Sequence, residues 1–211
     1  MINFVNGSPD LVLEWHNGYG RFAGSLATPE SGNDMKIAAR LGMPWALDNG
    51  CFKKYDPPLI LRMLRRFRGV PGCKFAVVPD VVCDHDSTLL LFRAWIGTYQ
   101  RLGYPAAFVL QNGVSINAVP WGSVAAVFIG GDTPFKFCDL VRELVGEAKY
   151  RGKWVHMGRV NSIRRIQYAN SIGCDSIDGT GFSMIPKQKI NELKRFYGAD
   201  RQMNIWELPV L

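Results

Sequence analysis

The sequence predicts an α/β protein built as a compact (β/α)8 TIM-like barrel, with an open doubly wound sheet as the alternative. Short apolar runs alternate with longer segments of helical periodicity, which is the pattern of repeated strand–helix units. The apolar runs are nearly continuous, which indicates parallel strands covered by helices. The length of 211 residues suits one small barrel, so we expect residues 1–211 to form a single domain.

Six strands are predicted from the apolar runs. They lie at 44–47, 74–80, 106–111, 124–131, 154–158 and 174–178. One or two further strands are expected before residue 30, for which "VLEW" (12–15) and "GRFAGSL" (20–26) are candidates. Eight strands would close a barrel, but periodicity alone does not separate a barrel from an open sheet.

The segments between these strands predict helices, several of which carry end signals. The helices lie at 33–42, 57–69, 86–103, 134–152, 162–173 and 186–198. Asp34 and Gly42 are placed as caps of the first helix, and Pro57 lies in the first turn of the second. The third is expected to be capped by Asp86 or Ser87 and ended by Gly103. After residue 178 we expect a loop without an immediate helix.

The charge, the cysteine content and the motifs of the chain limit the classes of function to consider. Lys and Arg exceed Asp and Glu by 25 − 18 = 7, and the pI of about 9.3 fits a polyanionic partner, although solvated basic faces are common. The cysteine count of five is odd and no pair has CxxC spacing, which predicts a reducing, cytoplasmic compartment without disulfides or a cysteine zinc site. No signal peptide, membrane span, phosphate-binding loop or dinucleotide motif is expected, and no cofactor or metal.

Polar groups follow the predicted strands. Ligands of parallel α/β proteins bind at the carboxyl ends of the strands, so these positions are the candidate site. An aspartate after a strand commonly caps the next helix, but the helices after the first two aspartates are predicted to begin several residues later. The groups are Asp48 with Asn49, Asp80, Gln111, Gly130-Gly131, Met157-Gly158-Arg159, and Asp178.

Two or three carboxylates at one rim suit glycosidic-bond chemistry, in which one attacks the anomeric carbon and another transfers protons. The Gln111 amide can donate and accept, and the Gly130-Gly131 N–H groups can donate to a carbonyl, which together suit a purine-like base. A sugar hydrolase with stacking by Trp45, Trp154 or Phe52 is the alternative. His156 is interpreted as a core histidine or, less readily, a metal ligand, and His85 as a residue of a solvated loop.

The ordered segments "LDNGCF", "PDVV", "LQNG", "FIGGDT", "HMGRV" and "CDSIDGTGFS" resemble the tRNA-guanine transglycosylase superfamily. Its members are (β/α)8 barrels that exchange a guanine in a nucleic acid for a 7-deazaguanine. The resemblance spans residues 47–183, with Asn49 standing in a serine place and Cys51 and Asn112 in glycine places. It implies that Asp178 is the nucleophile and Asp48 the general acid/base. The residues implied to surround the base are Asn49, Asp80, Gln111, Gly130, Gly131, Met157 and Gly158.

The resemblance is strongest to the shorter, zinc-free branch, which is often encoded by bacteriophages and inserts preQ0-type 7-deazaguanines into DNA. After Cys174 the chain has no cysteine and no histidine, so it lacks the zinc-binding insertion of the tRNA enzymes. The implied partners are a 7-deazaguanine base and duplex DNA with a flipped guanine. Arg159, Arg164 and Arg165 are the expected nucleic-acid contacts, and Arg62, Arg65, Arg66 and Arg68 form a second basic group on one helix.

Several alternatives stay open at this point. The chain could act on RNA, hydrolyse a nucleoside or other N-glycoside, or bind nucleic acid without catalysis. A homodimer or a helper protein is also open, and a phage-encoded protein would work in the host cytoplasm.

Overall fold

Eight parallel strands close into a barrel in which each strand pairs with its neighbours in sequence and the last pairs with the first. The computed structural model describes the backbone of residues 1–205 and the side chains of residues 1–195. The predicted barrel is therefore confirmed, and the open sheet is excluded. The strands are β1 (Ile2–Val5), β2 (Ala23–Ala27), β3 (Trp45–Leu47), β4 (Cys73–Val77), β5 (Ala106–Leu110), β6 (Ala126–Ile129), β7 (Trp154–Met157) and β8 (Ser176–Asp178).

Helices surround the barrel, except between β5 and β6, where two short 3-10 turns make the connection. The α-helices are α1 (Pro9–Tyr19), α2 (Met35–Arg40), α3 (Pro57–Arg66), α4 (His85–Leu102), α5 (Thr133–Lys136), α6 (Asp139–Tyr150), α7 (Ile163–Ser171), α8 (Thr180–Met184) and α9 (Pro186–Ile205). The 3-10 turns are Gly20–Phe22, Ile116–Ala118 and Trp121–Ser123.

The N-terminal region departs from the prediction. All six predicted strands are present, and "GRFAGSL" contains most of β2, but "VLEW" lies inside α1. Val12 and Trp15, three residues apart, are buried on one face of α1, which Ser8 caps through its side chain. This apolar pair belongs to a helical period rather than a strand. β1, with only four residues, was not singled out by the pattern.

Three further predictions about helices are wrong. The single helix at 134–152 is broken between α5 and α6, and at the break Phe137 packs on Tyr168 with ring centroids 4.6 Å apart. α4 is capped by Asp84, whose carboxylate accepts from the Ser87 N–H at 3.0 Å, rather than by Asp86 or Ser87. A short helix, α8, begins at Thr180, where a loop was expected. The predicted caps Asp34 and Gly103 are confirmed.

The barrel interior is filled by the inward-facing side chains of alternate strand positions. Phe4 and Phe75 meet edge to face at the centre, with ring centroids 5.7 Å apart. On β7, Trp154 packs against this interior cluster, whereas Val155 and Met157 belong to the larger core between strands and helices. Side chains of one strand parity therefore face the barrel axis, and those of the other parity hold the helices.

Candidate active site at the carboxyl end of the barrel

A pocket of about 70 Å³ opens where the strands end. It contains eight of the predicted site residues, including all three strand-end aspartates. A shallower groove along α3, lined by Pro57, Pro58, Leu61, Arg62 and Arg65, brings together no carboxylate or amide side chain. The pocket is lined by Asp48, Asn49, Phe52, Val77, Asp80, Val82, Val109, Gln111, Phe128, Gly130, Gly131, Arg159 and Asp178.

Asp80 is held between two buried amides. Asn49 Nδ2 donates to its Oδ1 at 2.6 Å, and Gln111 Nε2 donates to its Oδ2 at 2.6 Å. Burial raises the pKa of Asp80 above its usual value, although these two hydrogen bonds oppose the shift. Each carboxylate oxygen still has a free lone pair, so Asp80 can accept further hydrogen bonds from a ligand.

The Gly130-Gly131 turn after β6 does not offer its N–H groups to a ligand, although the sequence had led us to expect that it would. The Gly130 N–H donates to the Leu110 carbonyl at 3.0 Å, and the Gly131 N–H donates to Gln111 Oε1 at 2.7 Å. Both donors are thus used within the protein and are not free for a ligand carbonyl. The glycines provide space instead, since a Cβ at Gly130 would lie 2.7 Å from Val109 Cγ1.

Asp178 is ionised and fixed at both oxygens. The Arg159 N–H donates to Oδ1 at 2.6 Å, and His156 Nε2 lies 3.3 Å from Oδ2. Burial acts to raise the pKa of Asp178, but the hydrogen bond and charge of His156, the Arg159 N–H and the charge of Lys136 outweigh it. The pKa of Asp178 is therefore below its usual value.

Asp48 behaves in the opposite way. Its Oδ1 accepts from the Gly50 N–H at 2.7 Å. Burial, followed by the negative charge of Asp178, raises the pKa of Asp48 from 3.8 to about 7. Neighbouring carboxyl groups whose pKa values are pushed apart provide an ionised group and a proton donor in one site, which is the usual arrangement for acid/base assignments.

Arg159 shapes the mouth of the pocket. Its guanidinium donates to the Gly131 carbonyl at 2.6 Å and stacks on the Phe52 ring at 4.4 Å. Its φ of 61° is in the left-handed region, as is the φ of 62° at Cys83, whose N–H donates to Gln111 Oε1. Non-glycine residues with this conformation concentrate at functional sites. Here the N–H of each residue donates to a pocket side chain, Asp178 for Arg159 and Gln111 for Cys83.

Four predicted residues lie outside the pocket lining. Met157 is buried between β7 and the helices, and Gly158 leaves room for Phe128, since a Cβ there would lie 2.5 Å from the Phe128 ring. Arg164 and Arg165 lie in the first turn of α7, at the same rim of the barrel but away from the pocket. Asp132, which follows the Gly130-Gly131 turn after β6, caps α5 by accepting from the Phe135 N–H.

Sequence reasoning missed two residues beside Asp178. His156 was interpreted as a core residue, but its place on the inward face of β7 brings it to the carboxylate. Lys136 is buried and donates to the Gly158 carbonyl, and burial lowers its pKa to about 8. Trp154 and His156 are two residues apart in one strand and therefore face the same side of the sheet, which was the available sign that His156 points into the barrel. The break between α5 and α6 turns Lys136 inward, and nothing in the sequence marked that break.

Other predictions concern metals and membranes. Among the side chains of residues 1–195, no three His, Cys, Asp or Glu groups are arranged to hold a metal ion. His85 is buried in the first turn of α4, which corrects its assignment to a solvated loop. Across the described backbone, no helix has the length and apolar character needed to cross a bilayer.

Comparison with known protein families and with curated proteins gives no match for this chain. Among solved structures, it is similar to an HpcH/HpaI aldolase from Desulfitobacterium hafniense DCB-2, with a TM-score of 0.52. The alignment covers 98% of this chain and 92% of the aldolase chain, at 10% sequence identity. This likeness shows the shared barrel fold alone.

Proposed function

We propose that the chain is a base-exchange transglycosylase that replaces guanine in DNA with a 7-deazaguanine base of the preQ0 type. The observation that carries the proposal is the set of three carboxyl groups in one pocket, whose pKa values are shifted differently by their surroundings. Asp178 is ionised, Asp48 titrates near neutrality, and Asp80 is clamped by two amides. These are also the residues that match the nucleophile, the acid/base and the base-reading aspartate of the resembled superfamily.

The reaction proceeds in two displacements. Asp178 attacks C1′ of the target nucleotide, the C1′–N9 bond breaks, and its electron pair leaves with guanine, which Asp48 protonates. The incoming base then loses its N9 proton to Asp48 and attacks C1′, and the electron pair of the C1′–O bond returns to Asp178. A pKa of about 7 lets Asp48 act as acid in the first step and base in the second.

Base selection rests on Asp80. The lone pairs left free by Asn49 and Gln111 can accept from the ring N–H and the exocyclic amine of a guanine-type base, whereas adenine does not offer this pair of donors. Phe52 and Phe128 are aromatic residues of the pocket lining. The pocket volume of about 70 Å³ is far below the roughly 300–1,000 Å³ of pockets for drug-sized ligands, so the pocket suits a small ligand group.

Contact with a nucleic acid is supported by the charge pattern at the rim, and the choice of DNA over RNA rests on the resemblance to the zinc-free branch. Arg164 and Arg165 lie in the first turn of α7, and that turn contains no acidic residue. Positive charge at a helix N-terminus is unfavourable, because the helix dipole is positive there. A phosphate partner would reverse that cost. Together with the net charge of +7, this supports contact with a polyanion, whose target base must be flipped into the pocket.

The test is to incubate the protein with duplex DNA and a panel of 7-deazaguanine bases, digest to nucleosides, and analyse by mass spectrometry. A matched tRNA reaction runs in parallel. We expect a modified deoxynucleoside with wild type and none with Asp178→Asn. Asp132→Asn is the matched control, because asparagine still caps α5, and it should retain activity.

The other outcomes separate the alternatives. Modification of tRNA alone would move the proposal to RNA and keep the chemistry. Release of guanine without incorporation of a new base would indicate a hydrolase. DNA binding that persists without any product on either polymer would favour a barrel that binds but does not catalyse.

A further inference from the structure

A line of polar groups crosses the apolar interior of the barrel and ends at Asp178. Trp154 Nε1 donates to Ser176 Oγ at 2.8 Å, Ser176 Oγ lies 2.9 Å from His156 Nδ1, and His156 Nε2 lies 3.3 Å from Asp178 Oδ2. Trp154 and His156 are two residues apart on β7, and Ser176 and Asp178 are two apart on β8, so each pair lies on one face of its strand. His156 and Ser176 are fully buried.

The donor at one end fixes the direction of the whole line. An indole N–H can only donate, so Ser176 Oγ accepts from Trp154 and has one hydrogen of its own to place. Donating that hydrogen to His156 Nδ1 satisfies the hydroxyl and leaves the imidazole proton on Nε2. In this neutral tautomer His156 donates from Nε2 to the Asp178 carboxylate.

The surroundings hold the imidazole in this orientation. The rings of Phe4, Phe75 and Phe128 pack around it, with centroids at 5.9, 5.0 and 4.7 Å from the imidazole centroid. Such an apolar cage strengthens a hydrogen bond to a carboxylate, because water does not compete for either partner. The mechanism proposed above gives His156, Ser176 and Trp154 no task.

We propose that His156 is a positioning residue, oriented by Ser176 and Trp154, that makes Asp178 a better leaving group in the second displacement. This inference rests on the proposed function. When the incoming base attacks C1′, the electron pair of the C1′–O bond returns to Asp178, and the Nε2–H stabilises the carboxylate that forms. In the first displacement the same hydrogen bond holds the carboxylate in place and slightly weakens it as a nucleophile.

Two variants isolate this role. His156→Phe keeps an aromatic ring in the aromatic cage but removes the donor, whereas glutamine at the same position can place an amide N–H near the Nε2 site. We expect His156→Phe to slow the second displacement at least about tenfold, because a hydrogen bond to a charged group is lost. Covalent protein–DNA adduct should therefore accumulate, and His156→Gln should restore part of the rate.

The first measurement does not depend on the reaction. The pKa of the Asp178 carboxyl is followed by carbon NMR, with Asp178→Asn to assign the signal. We expect the pKa to rise in His156→Phe and to return toward the wild-type value in His156→Gln. An unchanged pKa in His156→Phe would overturn the inference whatever the protein catalyses.

The second measurement quenches the reaction with DNA in denaturant and quantifies adduct at Asp178 by peptide mass spectrometry. Ser176→Ala should raise the adduct fraction in the same direction as His156→Phe. Ser25→Ala is its matched control, since Ser25 is equally buried and its hydroxyl has no hydrogen-bond partner among the side chains of residues 1–195 or the described backbone. Equal adduct fractions in wild type and His156→Phe would overturn the leaving-group role.

The two measurements also separate this inference from the proposed function. A pKa shift in His156→Phe, with no adduct and no exchanged base from either protein on DNA or tRNA, would overturn the proposed function and with it the leaving-group role. The coupling of His156 to Asp178 would then stand as a structural fact only.

Discussion

Replacing Asp48 by asparagine is expected to make the folded protein more stable at pH 8 while abolishing base exchange. The pKa of Asp48 is raised from 3.8 to about 7, chiefly by burial and next by the charge of Asp178. Between these pH values the folded state keeps a proton that the unfolded chain has released. The unfolded state binds fewer protons there, so the free energy of unfolding falls as the pH rises through this window.

The change in the free energy of unfolding can be worked out from the difference between the two pKa values of Asp48, 3.8 and about 7. Each pKa unit corresponds to about 1.4 kcal/mol. The raised pKa of Asp48 therefore lowers the free energy of unfolding by at most about 4 kcal/mol above pH 7, and by only about 2 kcal/mol at pH 5. Asparagine has no ionisable group and can still accept from the Gly50 N–H. The advantage of Asp48→Asn over wild type should therefore grow by about 3 kcal/mol between pH 5 and pH 8.

Urea unfolding of both proteins at the two pH values measures this difference. Asp132→Asn serves as the control, because the pKa of that exposed helix cap is lowered by its hydrogen bonds and the variant should gain nothing at pH 8. An advantage of Asp48→Asn that is the same at pH 5 and pH 8 would refute the claim that Asp48 holds a proton in the folded state.

Three further perturbations test the site. Gln111→Leu should destabilise the fold by about 3 kcal/mol in urea unfolding, because two backbone donors and the Asp80 carboxylate lose a buried partner. Gly158→Ala should cut base exchange more than about tenfold and lower stability by roughly 1–3 kcal/mol, because its Cβ would displace Phe128 into the pocket. Arg159→Ala should weaken DNA binding and lower the slope of log affinity against log salt by about one.

Each of these has an outcome that contradicts it. Wild-type stability in Gln111→Leu would mean that the amide clamp around Asp80 is dispensable. Normal turnover in Gly158→Ala would show that the Phe128 ring has room to move. An unchanged salt slope in Arg159→Ala would mean that its guanidinium serves the pocket mouth and Phe52 rather than phosphate.

The strand ends were the most predictable part of the molecule. Apolar runs gave six strands, and the residues after them include Asp48, Asp80, Gln111 and Asp178, which meet in one pocket. This works because parallel strands place their carboxyl ends at one rim, whatever the details of the helices. Asp132 shows the limit of the same rule, since its carboxylate caps α5 and contributes nothing to the pocket lining.

What the sequence did not disclose depends on side-chain direction and on tertiary contacts. His156 was visible as a strand residue, but only the barrel places its inward face beside Asp178. The use of the Gly131 N–H by Gln111 depends on the exact distance between β5 and β6 loops. The inward turn of Lys136 depends on a helix break that local propensity does not mark.

The most direct test of the central claim is incorporation of radiolabelled guanine into unmodified duplex DNA. Exchange of guanine for guanine needs the same pocket and the same covalent intermediate, and it does not require knowledge of the 7-deazaguanine used. We predict that wild type transfers label into DNA, recoverable as labelled deoxyguanosine, and that Asp178→Asn transfers none. Equal incorporation by Asp178→Asn, or none by wild type that binds the DNA, would contradict the account.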